Sequence, residues 1–213
     1  AAAWPHLGSD DRALRFAART AIEKLPVAQW ADRAVSEKDT SARLGAILSL
    51  ARMGSKDHQA AAIKSLLELD YSALDQQSRF DLLRAYGLVF IRLAPPSDAQ
   101  QSAVIAQIDQ YFPADTRAEN IELSNVLSYL QAPGVISRSV ELMDTAPTQE
   151  EQIAMAKNIR QLSDGWTPEL QERYFKWFTR AANYRGGASF TNFIDEIKGL
   201  TLRSKDGDHA ARQ

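Results

Sequence analysis

Four residues in the last third of the chain are of types that could hold a ligand: Trp166, Arg173, Trp177 and Arg185. Indole rings offer flat apolar faces, and a guanidinium can stack on a ring or bind an acidic partner, so together they would suit a pocket against an aromatic wall. They lie within residues 165–193, which hold eight of the chain's eighteen aromatic residues. Tyr174, Trp177 and Phe178 stand at i, i+3 and i+4, on one helix face, with Phe175 to its side. That spacing reads as a packing face before it reads as a ligand platform.

The other chemistry-bearing residues are dispersed. His6, His58 and His209 are far apart, and none has a second His or a carboxylate placed like a metal-ligand set. Gly187-Ala188-Ser189 lacks the strand-to-helix setting of a serine nucleophile and reads as a helix N-cap. Asn183-Tyr184-Arg185-Gly186-Gly187 has the glycines and the cation of a phosphate loop. With no strand before it and no Lys-Ser/Thr after it, a turn between helices is the better reading. Glu150 with Glu151, and Asp195 with Glu196, are adjacent on helices and point apart, which suits no acid–base pair. The chain has no cysteine, and so within it no disulfide, thiolate zinc site, cysteine nucleophile or covalent c-type haem. No catalytic residue, metal or cofactor is expected.

The elements that would position these residues are helices. The 213 residues carry ordinary globular composition, with 45% hydrophobic and 24% charged residues. A net charge of −2 supplies no broad pull toward nucleic acid. The longest apolar stretch, residues 82–93, is interrupted by Arg84 and Arg92 and falls short of the roughly 20 residues of a membrane span. Residues 1–8 read as an N-terminal arm without the charged and apolar regions of a signal peptide, which suggests a removed leader or a segment of a larger chain.

Ser9, with Asp10 and Asp11 behind it, is the expected first N-cap, followed by Leu14, Ala17, Ala18, Ala21, Ile22 and Leu25 as a core stripe and by a second helix from Pro26. Asp39 opens the next hairpin, which Gly54 and Ser55 divide. Further hairpins open at Asp75, near residue 116 and at Thr148, with breaks at Pro95-Pro96, Pro113 and Pro133-Gly134. Thr148-Gln149-Glu150-Glu151 fits a capping box. Strand alternation is absent, and the spacing of the starts is near that of helical-repeat units. The expected fold is all-α: a right-handed α-solenoid of about five hairpins over 9–203, closed by the aromatic segment, with 204–213 a polar, frayed tail.

The first two hairpins match at an offset of 28 residues, with Asp11 and Arg15 aligned to Asp39 and Arg43. Asp-x-x-x-Arg followed by a small residue resembles the HEAT repeat, which implies that these four charges pair between neighbouring repeats in a structural ladder. Three stretches resemble a larger family. They are Asp81-Leu-Leu-Arg-Ala-Tyr86 with Arg92-Leu93 and Pro95-Pro96; Asn120-Ile-Glu-Leu123 with Tyr129-Leu-Gln-Ala-Pro133; and Gly165-Trp166-Thr167 with Tyr174-Phe-Lys-Trp-Phe178 and Gly186-Gly-Ala-Ser-Phe190. Together, over about residues 9 to 200, they are similar to the HEAT-like region of large exported planctomycete-type bacterial proteins, the membrane-bound dehydrogenase-like or haem-binding group. In that family, the resemblance implies, a sorbosone-dehydrogenase-like propeller precedes the helices and a cytochrome c domain follows them.

This chain has neither Cys-x-x-Cys-His nor propeller strands. What the resemblance implies for it is therefore a non-catalytic scaffold or protein-interaction module of a periplasmic or otherwise exported protein, in redox or carbohydrate processing. Its partners would be proteins, neighbouring domains or another chain. The competing expectation is a ligand-binding or catalytic repeat domain with a pocket at Trp166, Arg173, Trp177 and Arg185.

Overall fold

The computed structural model describes residues 2–211, with side chains through Thr201. Eleven α-helices and several short 3-10 turns account for its regular structure, and no strand occurs among the described residues. The chain divides into two compact units, Ala1–Ile108 and Asp109–Gln213, where the sequence predicted one domain over 9–203.

The N-terminal unit contains α1 (Arg12–Glu23), α2 (Ala31–Ser36), α3 (Thr40–Met53), α4 (Gln59–Leu67), α5 (Gln76–Arg92) and α6 (Asp98–Ile108). Its centre is α3, which packs on α1, α2, α4 and α5. Helix α4 in turn touches α2, α5 and α6, so besides packing on neighbours in the chain the helices link α1 to α3 to α5 and α2 to α4 to α6. Leu44, Ile47 and Leu50 of α3 and Leu82, Tyr86 and Val89 of α5 are buried where these helices pack. Small residues at the same faces, Ala46, Ala51 and Ala85, let the backbones approach.

Four of the five expected hairpin starts are N-caps. Asp39 accepts from the Ala42 N–H, Asp75 from Ser78, Thr116 from Glu119 and Thr148 from Glu151. The first start is displaced. Asp11, not Ser9, caps α1 by accepting from Ala13 and Leu14, and the Ser9 hydroxyl instead accepts from the Asp11 N–H. The phase of α1 differs as well: Ala18 and Ile22 are buried, whereas Leu14 and Leu25, expected in the core, are 40% and 39% exposed.

Residues 1–8, expected to form an arm, carry Trp4 and Leu7, both buried. The Trp4 indole N–H donates to Glu37 at 2.6 Å, and the Arg33 guanidinium lies 4.3 Å from the Trp4 ring. That indole hydrogen bond is the main reason the Glu37 carboxyl sits below its ordinary pKa.

The C-terminal unit contains α7 (Arg117–Tyr129), α8 (Val135–Thr145), α9 (Gln149–Ile159), α10 (Pro168–Ala181) and α11 (Phe190–Ala211). Helix α9 packs on α7 and α8, and α10 packs on α8 and α11. The backbone of 204–211 continues α11 where the composition predicted a frayed tail, and residues 212 and 213 lie outside the described residues.

Candidate interaction surfaces

The aromatic segment is built as core. Gly165 turns the chain at φ +88°, a left-handed conformation that glycine adopts without a steric penalty. Thr167 then caps α10 by accepting from Leu170, with Pro168 in the first helical position, where a missing N–H costs nothing. Tyr174, Trp177 and Phe178 are buried, and their rings run in a chain: Trp166 to Tyr174 at 5.1 Å, Tyr174 to Phe178 at 5.4 Å, Phe178 to Trp177 at 5.0 Å. Edge-to-face geometry of this kind adds to the burial of area.

The polar atoms of these rings have partners inside the unit. The Trp166 indole donates to the Leu162 carbonyl at 2.7 Å, and Trp177 donates to the Gln152 side-chain oxygen at 3.1 Å. The Tyr184 hydroxyl donates to the same Gln152 oxygen. Tyr174 hydrogen-bonds the Ala156 carbonyl at 3.1 Å and the Thr201 hydroxyl at 3.0 Å. Burial pushes the Tyr174 phenol up to about 12, so it stays protonated at neutral pH.

The four predicted ligand contacts therefore divide among separate tasks. Trp177 is interior, and Trp166 joins it through Tyr174 and Phe178. Arg173 belongs to an ion network between α8 and α10, donating to Asp144 and Glu141 at 2.8 Å each, while Arg180 reaches the other Asp144 oxygen at 2.7 Å. Those bonds, to Glu141 first and then Asp144, raise the Arg173 pKa further. Arg185 lies exposed in the turn before α11, its backbone clasped on both sides by Gln149: the amide donates to Arg185 O at 2.7 Å and accepts from Arg185 N at 3.2 Å. The adjacent Gly186 lies against the Phe190 ring, which a Cβ there would meet at 2.3 Å.

The predicted ladder of Asp11, Arg15, Asp39 and Arg43 is not a set of Asp–Arg pairs between repeats. Each aspartate caps its own helix, as its side chain is within reach of that helix's free N–H groups. Each arginine, one turn on, reaches back to carbonyls of the turn that enters the helix. Arg15 donates to Ser9 O at 2.6 Å and Asp10 O at 3.0 Å. Arg43, only 5% exposed, donates to Glu37 O at 2.6 Å and Ser65 O at 3.1 Å, and it pairs with Glu68 at 3.5 Å.

Sequence reading missed three further copies of this clasp. Arg79 donates to Tyr71 O and Ser72 O behind cap Asp75. Asn120, behind cap Thr116, accepts from Ala114 N at 2.6 Å and donates to Ala114 O at 3.0 Å. Gln152, behind cap Thr148, donates to Ala146 O at 2.7 Å. In each case the clasping side chain stands four residues after the N-cap.

Among the described residues no group of three or more His, Cys, Asp or Glu is placed to hold a metal ion. His6 is exposed, and the His58 ring accepts from the Ser55 N–H at 3.1 Å in the turn before α4. The His209 side chain lies outside the described residues. Ser189 takes the expected place before α11, its carbonyl accepting from Phe193 N. Glu150 is exposed and Glu151 buried, so the neighbouring carboxylates do point apart.

No family model, curated protein or solved structure matches this chain. The surface itself supplies a candidate, of which the sequence reading placed Leu14, Ala17, Ala21 and Leu25 in the core. On α1 the residues Ala13, Leu14, Phe16, Ala17 and Ala21 are exposed, with Leu25 just beyond it; Phe16 is 59% exposed. At about 100° per residue Ala13 and Ala17 lie away from the buried Ala18 and Ile22, Ala21, Leu14 and Leu25 run toward the edge beside Ala18, and Phe16 stands at the other edge of the helix. Two large apolar side chains stand out elsewhere in the unit, Met53 at the end of α3 and Ile91 near the end of α5.

Proposed function

We propose that the chain is a non-catalytic scaffold, an α-solenoid of about five HEAT-like hairpins that binds another protein as a module of a larger exported redox or carbohydrate-processing protein. Two structural features support the solenoid. Within the N-terminal unit contacts link α1 to α3 to α5 and α2 to α4 to α6, in addition to contacts between neighbouring helices, and one capping-and-clasping device recurs at α1, α3, α5, α7 and α9. A module that cannot bury its outer faces alone does so against neighbours. Export and the multidomain setting rest on the resemblance described above.

The observation that carries the binding role is the outer side of α1. There Phe16 stands 59% exposed, with Ala13 and Ala17 toward it and Leu14 and Leu25 half-exposed at the edge of the packed side, and apolar side chains left in water supply a place for association. A photo-cross-linking residue at position 16, introduced in cells, tests this directly. The expected result is one discrete adduct in the exported fraction, absent when the same probe replaces the exposed Lys64 of α4. No adduct from position 16, or the same adducts from both positions, would refute the docking role.

A further inference from the structure

Phe16 shares its edge of α1 with Arg12, Arg19 and Glu23, and that edge is joined to the outer edges of α3 and α5. We infer that this three-helix surface takes an acidic segment of another protein that also bears apolar side chains. This rests on the docking reading of α1 and names the chemistry of the partner.

At about 100° per residue Arg12, Phe16, Arg19 and Glu23 fall within about 60° of one another on α1. The Arg19 stem crosses to α3 where Gly45 leaves room for it: a Cβ at position 45 would stand 4.0 Å from Arg19 Cδ. One turn further on, Glu23 pairs with Arg52 of α3 at 3.4 Å. At the end of α5, Arg92 donates to the Arg52 carbonyl at 3.5 Å. Beside it Ile91 faces solvent, opposite the buried Leu82, Tyr86 and Val89. At roughly 10 Å between neighbouring axes, the row of α1, α3 and α5 is about 20 Å wide.

The charge of this surface is one-sided. Five arginines, Arg12, Arg19, Arg52, Arg84 and Arg92, stand against two carboxylates, Glu23 and Asp81. Glu23 is held by Arg52, and Asp81 accepts from the Gln77 amide at 3.1 Å. Among the described residues Arg12, Arg19 and Arg92 form no ion pair. A guanidinium matches the planar geometry of a carboxylate, so such a row favours an acidic partner.

The apolar part of the match comes from Ile91 and Phe16, at 74% and 59% the most exposed large apolar side chains described. They stand on the two outer helices of the row, where each can anchor an apolar side chain. In extended form a segment crosses that width in about six residues. A second copy is disfavoured, since it would set arginine against arginine. Nucleic acid fits less well, because Glu23 and Asp81 would face phosphates and an isoleucine gains nothing from them.

Photo-cross-linking residues placed in turn at positions 16 and 91 of the whole chain, in cells, with adducts mapped by mass spectrometry, read surface and partner together. Both positions should join one protein, through a single segment in which Asp and Glu outnumber Lys and Arg. Arg12→Glu with Arg92→Glu, both at exposed positions, should cut the yield at least tenfold from either probe with helicity unchanged. Lys64→Glu with Lys157→Glu makes the same change in net charge at exposed positions on helices outside the row and should leave the yield as it is. In extracts, raising sodium chloride from about 0.1 to about 0.5 M should lower the wild-type yield several-fold, a readout that needs no variant.

An adduct from position 16 alone, different proteins from the two positions, or a join through a neutral or basic segment or a second copy of this chain overturns the inference. So do yields indifferent to salt or to the two arginine reversals, and an equal loss in the lysine variant. In each of these cases a discrete adduct from position 16 that is absent from position 64 leaves the docking role standing. With no adduct from position 16, both fall.

Discussion

In the N-terminal unit the helices α1, α3 and α5 begin Asp-x-x-x-Arg, whereas in the C-terminal unit α7 begins Thr-x-x-x-Asn and α9 begins Thr-x-x-x-Gln. Both sets cap the helix with the first residue and use the fifth to hold the incoming turn. What differs is the bonding each can offer. A guanidinium has donors only, so Arg15, Arg43 and Arg79 each gather two carbonyls. An amide both donates and accepts, so Asn120 satisfies the N–H and the carbonyl of one residue, Ala114. The recurring requirement is thus a reach and a hydrogen-bonding role at a fixed place behind the cap, and charge is one way of meeting it.

The cores differ in a parallel way. Both units bury large rings, but in the N-terminal unit Trp4, Trp30, Tyr71, Tyr86 and Phe90 are spread over several elements, whereas in the C-terminal unit Trp166, Tyr174, Phe178 and Trp177 run in one chain fixed by Gln152 and Thr201. The largest test of that contrast is Trp177→Ala. Removing a fully buried indole and its bond to Gln152 should cost about 4 kcal/mol, seen as loss of amide protection in α9 and α10 by hydrogen exchange. Protection retained in α3 and α5 would show the two units to be separate in stability. Simultaneous loss in all four helices would collapse the comparison into one cooperative structure.

Next in size are the clasps. Arg43→Met leaves the Glu37 and Ser65 carbonyls without their donor and should destabilise the N-terminal unit by about 3 kcal/mol in urea unfolding. Asn120→Ala removes two bonds to a less enclosed residue and should cost about 2 kcal/mol in the C-terminal unit. Equal losses would argue that the neutral clasp is as strong as the charged one. A negligible loss at Asn120 would make it an accident of sequence and not a counterpart of Arg43.

Much of the helix layout could be read from residue types because caps and breakers act locally. Asp39, Asp75, Thr116 and Thr148 mark their helix starts through bonds to N–H groups within three residues. The first start was ambiguous because Ser9, Asp10 and Asp11 are all competent caps, and only the path of the chain past the buried Leu7 decides among them. Periodicity on α1 gave an apolar stripe without saying which edge is covered, and so Leu14 and Leu25 were placed inside. The clasp escaped notice because Asp-x-x-x-Arg in α1 and α3 reads as pairing between repeats and was not followed to Asp75 and Arg79, and because in α7 and α9 its residue type changes to Asn and Gln while its role does not. Ligand-site signals in the aromatic segment could not be separated from packing signals in one dimension, since both call for large rings and long polar side chains.

The smallest effect discriminates most sharply between α5 and the helices of the C-terminal unit, because the Asp75 cap carries a carboxyl and the caps of α7 and α9 are threonines. Ser78 donates its backbone N–H to Asp75 at 2.7 Å, and this bond is the chief reason the Asp75 carboxyl lies below its ordinary pKa. A carboxyl with a lower pKa in the folded state than in the unfolded one stabilises fully above the ordinary Asp value, about 4, and loses that contribution as pH falls through its depressed value. Thr116 and Thr148 carry no charge to lose. Acidification from neutral to about pH 3 should therefore loosen the start of α5 by a fraction of the roughly 1 kcal/mol a cap supplies, and leave α7 and α9 unchanged. Hydrogen exchange corrected for intrinsic rates would read this as a few-fold faster exchange at Ser78, with Glu119 and Glu151 steady. Asp75→Thr should remove the pH dependence while keeping the cap. If α5 still loosens in acid with threonine at position 75, the charge that matters lies elsewhere in the unit, and the contrast between its caps and those of the C-terminal unit is one of residue type alone.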